Sequence, residues 1–223
     1  MRWIPEERTR VVAGTPASRA LRPPGAGMKR RRIVLATFNR DKVRELKNLL
    51  ADVPVEVIGL YEIPGANAAP EAGHTVRENA LEKARAAYDL TGSTAIADDT
   101  ALEVDALGGK PGIYAARFAG PGATYTDNVR RLLEVMEGRE LRTARFRTCC
   151  VACMTDGREI DAEGVLEGRI TAGPRGQEGF GYDPIFEVEG TGRTLAEMSG
   201  AEKNAVSHRA RAMKLLIEKM GLS

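Results

Sequence analysis

The sequence predicts an α/β fold with a mixed β-sheet. Strand and helix patterns alternate through the first half, a long hairpin pattern follows, and a helical pattern ends the chain. Alternation of this kind produces parallel strands, and a hairpin adds antiparallel ones. At 223 residues, 43% of them hydrophobic, the chain is long enough for one sizeable core or for two lobes with a cleft between them. No apolar run approaches the ~20 residues that cross a bilayer.

A strand, a helix and a second strand are predicted first. Residues 33–37 form a short apolar run, and residues 55–58 form another. Between them, over residues 41–51, apolar side chains recur at helical spacing. A further helix begins after a loop rich in Pro and Gly, where Thr75 and Glu78 have the spacing of a capping box, and it runs to about residue 90.

Two adjacent carboxylates, Asp98 and Asp99, follow a predicted strand at residues 94–97 and precede a glycine-rich turn. Acidic side chains are costly to bury unless they are paired or bound to a metal. Carboxylates at the end of a buried strand are a common way to hold Mg²⁺, and ligand sites of α/β folds gather at the carboxyl ends of strands. The alternative interpretation is a solvated acidic turn, and the pair alone does not decide between the two.

The second half predicts a helix, a hairpin, a short strand and a final helix. Thr126 and Asp127 are placed to cap the helix, and Asp156-Gly157 is a turn signal between the two hairpin strands. The hairpin strands, the short strand and the final helix are predicted over residues 145–155, 159–166, 185–188 and 203–220.

The first 28 residues differ from the rest. They lack hydrophobic periodicity and predict a disordered or dispensable extension, followed by one domain over residues 29–223. Residues 1–32 hold nine basic and two acidic side chains, a net +7, and because the whole chain carries +2 the remainder carries −5. No stable nucleic-acid partner is therefore expected, and an RNA-binding arm within the extension is the alternative.

Three cysteines, Cys149, Cys150 and Cys153, lie within five residues. The CxxC spacing of the last two suggests a zinc or redox site. Residues three apart on a strand point to opposite faces, however, and no second Cys pair completes four zinc ligands. We predict buried free thiols.

The segment Thr37-Phe38-Asn39-Arg40-Asp41-Lys42 lies between the first strand and the first helix. A helix N-terminus offers free N–H groups and partial positive charge to a phosphate, and Lys42 adds a full charge. The P-loop pattern is absent. The alternative is ordinary N-capping by Asn39 or Asp41, with Lys42 in solvent.

Two further segments add polar and aromatic groups. Asn79 and Lys83 share one helix face, as residues of a solvated face also would. Residues 179–184, Gly-Phe-Gly-Tyr-Asp-Pro, alternate glycine with aromatic rings. This pattern suits either stacking on a planar base or a turn whose aromatic rings fill the core.

Lys203, Ser207, His208 and Arg209 lie near the start of the last predicted helix. Arg209 offers a planar fork for a carbonyl or a phosphate. Ser207 lacks the pattern of a nucleophile elbow, so the sequence gives no case for a catalytic triad.

In this order the segments resemble the inosine triphosphate pyrophosphatase family over essentially residues 33–222. The motifs that carry the resemblance are Thr37…Asn39…Lys42, Glu78-Asn79…Lys83, Asp98-Asp99, residues 107–114, residues 179–184 and Ser207-His208-Arg209. Phe38 stands where the family usually has glycine, and Thr100 where serine is frequent. The resemblance implies an elongated mixed sheet with flanking helices and two lobes around a central nucleotide-binding cleft. It implies hydrolysis of ITP, dITP and XTP to the monophosphate and pyrophosphate.

Position by position, the resemblance also implies roles. Thr37, Asn39 and Lys42 hold the triphosphate within a substrate-binding segment that includes Phe38, Arg40 and Asp41, and Lys83 and Lys203 add charge there. Thr100 touches the substrate. The base is held and read by Phe180, Gly181, Tyr182, Asp183, His208 and Arg209. Asp99 and Glu71 serve a Mg²⁺ cofactor, and Asp99 is also the candidate catalytic base for the attacking water.

The resemblance further implies a cytoplasmic homodimer that acts on a purine nucleoside triphosphate and has no membrane partner. Donors from Arg209 or His208 would pair with the 6-keto group of hypoxanthine or xanthine. The 6-amino group of adenine would leave them unpaired, at a cost of a few kcal/mol. Two other functions stay open: a nucleotide pyrophosphatase of different base preference, and a nucleotide-binding protein without turnover.

Overall fold

The computed structural model describes residues 31–69 and 72–222, and the predicted extension over residues 1–28 lies outside them. Within the described residues, seven strands form one sheet in the order β2-β1-β3-β5-β6-β7, with β4 also paired to β3. The strands are β1 (Arg31–Leu35), β2 (Val55–Gly59), β3 (Thr94–Val104), β4 (Pro111–Gly112), β5 (Thr143–Cys153), β6 (Glu159–Ile170) and β7 (Phe186–Val188). The pairs β1·β2 and β1·β3 are parallel and the others antiparallel, so the predicted mixed sheet is confirmed.

Five helices flank the sheet in the described part of the chain. They are α1 (Arg40–Leu49), α2 (Val76–Thr91), α3 (Tyr125–Val135), α4 (Gly200–Val206) and α5 (His208–Met220). None of them is long and apolar enough to cross a membrane.

The strand predicted to end before Asp98 continues to Val104. The antiparallel pairing with β5 runs without a break from Ala95 to Val104, and so Asp98 and Asp99 lie inside β3. The parallel neighbour β1 nevertheless ends opposite Ile96. The two carboxylates on β3 therefore lie just beyond the carboxyl end of the neighbouring strand β1. Ligand sites of α/β folds gather at such strand ends.

The final helix is broken in two. Ser207 has extended backbone (φ −65°, ψ 151°), and its hydroxyl accepts a hydrogen bond from the Ala210 N–H. Ser207 thus ends α4 and caps α5. The break places Lys203 on one helix and the pair His208 and Arg209 at the start of the next.

Two predicted caps differ from the structure. The N-cap of α3 is Thr124, which forms a capping box with Asp127, so the helix begins two residues earlier than Thr126 would allow. Thr75 caps α2 as predicted, but the Glu78 carboxylate accepts from the His74 N–H, outside the helix, at 2.7 Å.

The apolar core has three clusters. One packs α1 and α5 on one face of the sheet, and another packs α2 on the opposite face. A third surrounds the far ends of β3, β5 and β6, with α3 and β7. The first two clusters lie at one end of β3, β5 and β6, and the third lies at the other end. These two ends correspond to the two predicted lobes.

Cys150 packs on the α5 face of the sheet, and Cys149 and Cys153 pack on the α2 face. All three are free buried thiols, as predicted.

Candidate active site

Asp98 and Asp99 point to opposite faces of β3, since neighbouring strand residues alternate. Asp98 is 1% exposed and faces α1 and α5. Its Oδ2 accepts from Lys42 Nζ at 3.0 Å and from Arg209 Nε at 3.0 Å. Burial alone would raise the pKa of Asp98, but Lys42, Arg209 and Lys83 hold it well below its ordinary value. Asp98 is therefore a buried, permanently charged anchor for two cations.

Asp99 faces α2. Its Oδ1 accepts from Lys83 Nζ at 2.7 Å and its Oδ2 from Asn79 Nδ2 at 3.2 Å. The two donors lie one turn apart on α2, as their spacing predicted. Both carboxylate oxygens are thus oriented from the helix side. Asp99 also lines the second of the two clefts described below.

A second charged cluster joins α1, α4 and α5 to Asp183, which lies in the segment before β7. Lys203 Nζ contacts Glu45 Oε1 at 2.8 Å and Asp183 Oδ2 at 2.6 Å, and Glu45 also pairs with Arg209. Burial alone would raise the pKa of Glu45, yet Arg209 and Lys203 lower it. At Asp183 burial prevails over Lys203 and raises the pKa.

Sequence reasoning missed Glu45. Its spacing of three from Lys42 places both on one face of α1, which is a usable signal. Its partners Lys203 and Arg209, however, lie more than 150 residues away and meet it only through tertiary packing.

His208 is buried and lines the second of the two clefts described below. Its Nδ1 is 2.5 Å from Thr148 Oγ1, which is 2.6 Å from Thr100 Oγ1. The imidazole stacks on Phe146 with ring centroids 4.6 Å apart. Burial, and then the charges of Arg209 and Lys203, hold the pKa of His208 well below its ordinary value of 6.5. The ring is consequently neutral near pH 7.

The segment between β1 and α1 combines both interpretations of its sequence. Asn39 is the N-cap, with Oδ1 accepting from the N–H groups of Asp41 and Lys42. Lys42 turns inward to Asp98, with 17% of its side chain exposed, and is not the solvated residue of the alternative. Arg40 lies over the Tyr61 ring, and Asp41 pairs with Arg44. Neither Arg40 nor Asp41 lines the clefts described below.

In the aromatic segment, residues 179–184, one ring fills the core and the other borders a cleft, so each interpretation of the sequence applies to one residue. Tyr182 is buried and donates a hydrogen bond from its hydroxyl to the Ala115 carbonyl, as a core residue would. Phe180 is half-buried, with the Lys203 ammonium 4.8 Å and the Arg209 guanidinium carbon 5.5 Å from its ring centroid. Its N–H donates to Asp183 at 2.8 Å, which fixes the loop.

Two adjoining clefts meet at Asn39, Lys42 and Ala116. The first cleft, about 650 Å³, contains Thr37, Phe38, Asn39, Lys42 and Lys83 in its lining. The second cleft, about 130 Å³, is lined by Asp99, Thr100, Phe180, Gly181, Tyr182, Asp183, Lys203, His208 and Arg209, and by Tyr125 and Phe146. The structure thus brings together all described residues of the predicted site except Arg40 and Asp41. Glu71 lies outside the described residues.

The carboxylates fit a Mg²⁺ ion that arrives with a substrate. Among the described residues no group of three or more His, Cys, Asp or Glu is placed to hold a metal alone. Mg²⁺, however, commonly takes one or two carboxylates and completes its shell with substrate phosphates and water. Asp99 lines the cleft, and Asp98 Oδ1 is the one buried side-chain atom in the described part of the chain without a hydrogen-bond partner. This donor set suits a shared ion better than a closed protein cage.

Comparison with known proteins gives a consistent result. The sequence pattern of the Ham1 family matches residues 33–219. A dITP/XTP pyrophosphatase of Symbiobacterium thermophilum is 49% identical over 195 residues, 86% of this chain and 96% of the relative. One of Caldanaerobacter subterraneus subsp. tengcongensis is 46% identical over 190 residues, 84% of this chain and 94% of the relative.

Solved structures agree. A HAM1 protein from Coxiella burnetii superposes with a TM-score of 0.77 at 38% identity, covering 86% of this chain and 100% of the other. The Staphylococcus aureus Ham1 protein gives 0.76 at 37% identity, covering 86% and 98%.

Proposed function

Because this chain belongs to the Ham1 family, we propose that it has the activity for which its relatives are named. It is a hydrolase that cleaves non-canonical purine nucleoside triphosphates, dITP and XTP among them, to the monophosphate and pyrophosphate. The family match confirms the resemblance noted in the sequence motifs. The observation that supports the proposal best is the junction of the two clefts, where basic side chains, an oriented carboxylate and an aromatic pocket meet.

In this proposal, the triphosphate binds where the two clefts meet. Lys42 and Lys83 offer ammonium groups, and the N-terminus of α1 adds partial positive charge next to Asn39. Each cation is already held by a carboxylate, Lys42 by Asp98 and Lys83 by Asp99, so its position is set before substrate arrives. Preorganised charge of this kind stabilises the negative charge that develops on the departing pyrophosphate in the transition state.

Asp99 orients the attacking water and takes its proton. The water oxygen bonds to the α-phosphorus as the bond from that phosphorus to the α–β bridging oxygen breaks, and pyrophosphate leaves. Asn79 and Lys83 hold its carboxylate from the side of α2, so the side chain keeps one orientation at the strand edge. Asp99 would also hold Mg²⁺, with Glu71 as a second predicted ligand. When bound, the ion neutralises phosphate charge and makes a bound water more acidic.

The base occupies the second cleft beside Phe180. Because His208 is neutral, an arrangement in which its Nδ1 accepts from Thr148 leaves the proton on Nε2 as a donor. Together with Arg209, which also lines this cleft, it faces the 6-keto group of hypoxanthine or xanthine. Adenine presents a donor at that position and leaves these groups unpaired.

The dependence on Mg²⁺, the homodimer and the cytoplasmic location form part of the proposal. Light scattering of the purified protein tests the dimer. Restoration of turnover by Mg²⁺ after chelation tests the metal.

The experiment that tests the function measures pyrophosphate release with Mg²⁺ from dITP, XTP, dGTP, dATP and dUTP in parallel. We expect rapid release from dITP and XTP alone. The dATP rate tests the pairing with the 6-keto group, and because guanine also carries a 6-keto group, the dGTP rate tests for discrimination at the 2-position. Equal release from all five would favour a pyrophosphatase without this base preference. Binding of dITP without any release would favour a nucleotide-binding protein without turnover.

A further inference from the structure

Tyr125 links the two sides of the second cleft. It is the first residue of α3 and lies 86 positions from Asn39 in sequence. Its hydroxyl accepts a hydrogen bond from Asn39 Nδ2 at 2.8 Å and donates one to Asp41 Oδ2 at 3.3 Å. Its ring lies 5.8 Å from the ring of Phe180, centroid to centroid. One side chain therefore contacts both the segment before α1 and the aromatic segment.

The hydrogen bond to Tyr125 completes the orientation of the Asn39 amide. The amide oxygen is already fixed by the N–H groups of Asp41 and Lys42 at 3.0 and 3.2 Å. The amide nitrogen carries two hydrogens, of which Tyr125 takes one and the other remains for a ligand. Burial and the carboxylate of Asp41 raise the pKa of Tyr125, so its hydroxyl stays protonated and can serve both neighbours.

The ring contact acts on the opposite side. Phe180 lies beside Lys203 and Arg209, and its N–H is tied to Asp183. The tilted packing of the Tyr125 ring, at 39° to Phe180, adds a neighbour that limits rotation of the Phe180 side chain. Tyr125 is still 42% exposed, so the ring lies at the mouth of the cleft and not in the core.

We propose that Tyr125 is a positioning residue for the nucleotide. It sets the separation between Asn39, which binds the phosphates, and Phe180, which flanks the base. This inference rests on the proposed function, which places the two ends of the substrate against those two residues. Fixing the two groups before binding lowers the entropy cost of ordering them around the ligand. The effect belongs to substrate affinity more than to the chemical step.

The test compares Tyr125→Phe, Tyr125→Ala and a matched control, Tyr61→Ala. Tyr61 is 38% exposed, close to the 42% of Tyr125, and lines neither cleft. For each protein, KM and kcat for dITP are measured by pyrophosphate release, and dITP binding is measured by calorimetry in EDTA. We expect KM and the dissociation constant to rise about 5-fold in Tyr125→Phe and about 20-fold in Tyr125→Ala, with kcat within about twofold. The control keeps wild-type values.

The outcomes separate this inference from the proposed function. An unchanged KM and dissociation constant in Tyr125→Ala would overturn the positioning role, as would a fall in kcat at constant KM. A wild-type protein that releases no pyrophosphate overturns the function, and the calorimetric comparison then still judges Tyr125. Thermal unfolding of each variant identifies any loss that comes from misfolding.

Discussion

At the scale of the residue, strand alternation gives the two neighbouring carboxylates different surroundings. Asp98 is enclosed by Lys42 and Arg209, whereas Asp99 reaches the cleft while Asn79 and Lys83 hold it. The acidic pair alone left a metal site and a solvated turn open, and the family resemblance assigned roles to Asp99 only. The surroundings of each carboxylate were not predictable, because they depend on which face of β3 each helix covers.

The two carboxylates should separate stability from turnover. Asp98→Asn leaves buried cations without a formal charge partner on β3, so we expect the free energy of unfolding to fall by about 3 kcal/mol. Asp99→Asn breaks one ion pair, with Lys83, where Asp98→Asn breaks two, so we expect a smaller loss of about 1–2 kcal/mol together with the loss of pyrophosphate release. Urea unfolding and dITP turnover check both variants. An Asp99→Asn protein with more than about a tenth of the wild-type rate would argue against a role as base or metal ligand.

His208 should make stability depend on pH. The folded protein keeps the imidazole neutral, with its pKa well below 6.5, whereas the unfolded chain takes up a proton as the pH falls through 6.5. The unfolded state then binds more protons, so stability is lost toward acid by about 1.4 kcal/mol per pH unit. Denaturant unfolding between pH 7.5 and 5.5 should show a shallower slope in His208→Asn than in wild type. The control is His74→Asn, since His74 is exposed. A slope in His208→Asn identical to that of wild type would contradict the expectation.

At the scale of the element, local signals located helices better than they located strand ends. The Thr75 cap and the helical apolar spacing placed α2 within a residue. The end of β3 was wrong, because its pairing with β5 outweighs the polar character of Asp98 and Asp99. The break at Ser207 was missed, since the apolar periodicity of α5 continues backward across it and only a capping hydroxyl marks the new start.

The seating of α5 on β6 depends on Gly164. A Cβ at this position would lie 2.1 Å from the His208 carbonyl oxygen and 2.6 Å from the Ala212 nitrogen, both backbone atoms. Gly164→Ala should therefore push away the start of α5, which carries His208 and Arg209. We expect a loss of about 3 kcal/mol in unfolding free energy and a lower kcat/KM for dITP. Gly173→Ala, where a Cβ meets no atom within 4 Å, is the control for both measurements. Equal stability of the two variants would show that α5 adapts without cost.

At the scale of the whole molecule, the family pattern begins at residue 33, and Ile33 is the first core residue in the described part of the chain. The mixed α/β class could be predicted from the alternation of strand and helix patterns, and most residues of the candidate site from the order of the sequence motifs. The ion pairs among Glu45, Lys203 and Arg209 were not, because three separate helices bring them together. The domain prediction for residues 29–223 stays a prediction, with the start of the family match in its support.

Removal of residues 1–27 tests that boundary. A chain that begins at Met28 should keep the kcat/KM of the full chain for dITP within about twofold, because the residues proposed to contact substrate all lie later. Its melting temperature should also match. A large loss of activity would show that the extension takes part in function, and salt-sensitive RNA binding by the full chain alone would identify it as a nucleic-acid arm.

The register of β3, β5 and β6 has a mechanical consequence. The three strands pair without a bulge from the core beneath α5 to the core around α3, so the floor of the cleft is one stiff ladder. A stiff floor offers no hinge about which the two halves swing apart. Because Tyr125 ties the segment before α1 to Phe180, we expect a nucleotide to enter a cleft whose floor and rim are both already set. In that case binding displaces few buried contacts, and the carboxylate that we propose as the base keeps its place on β3.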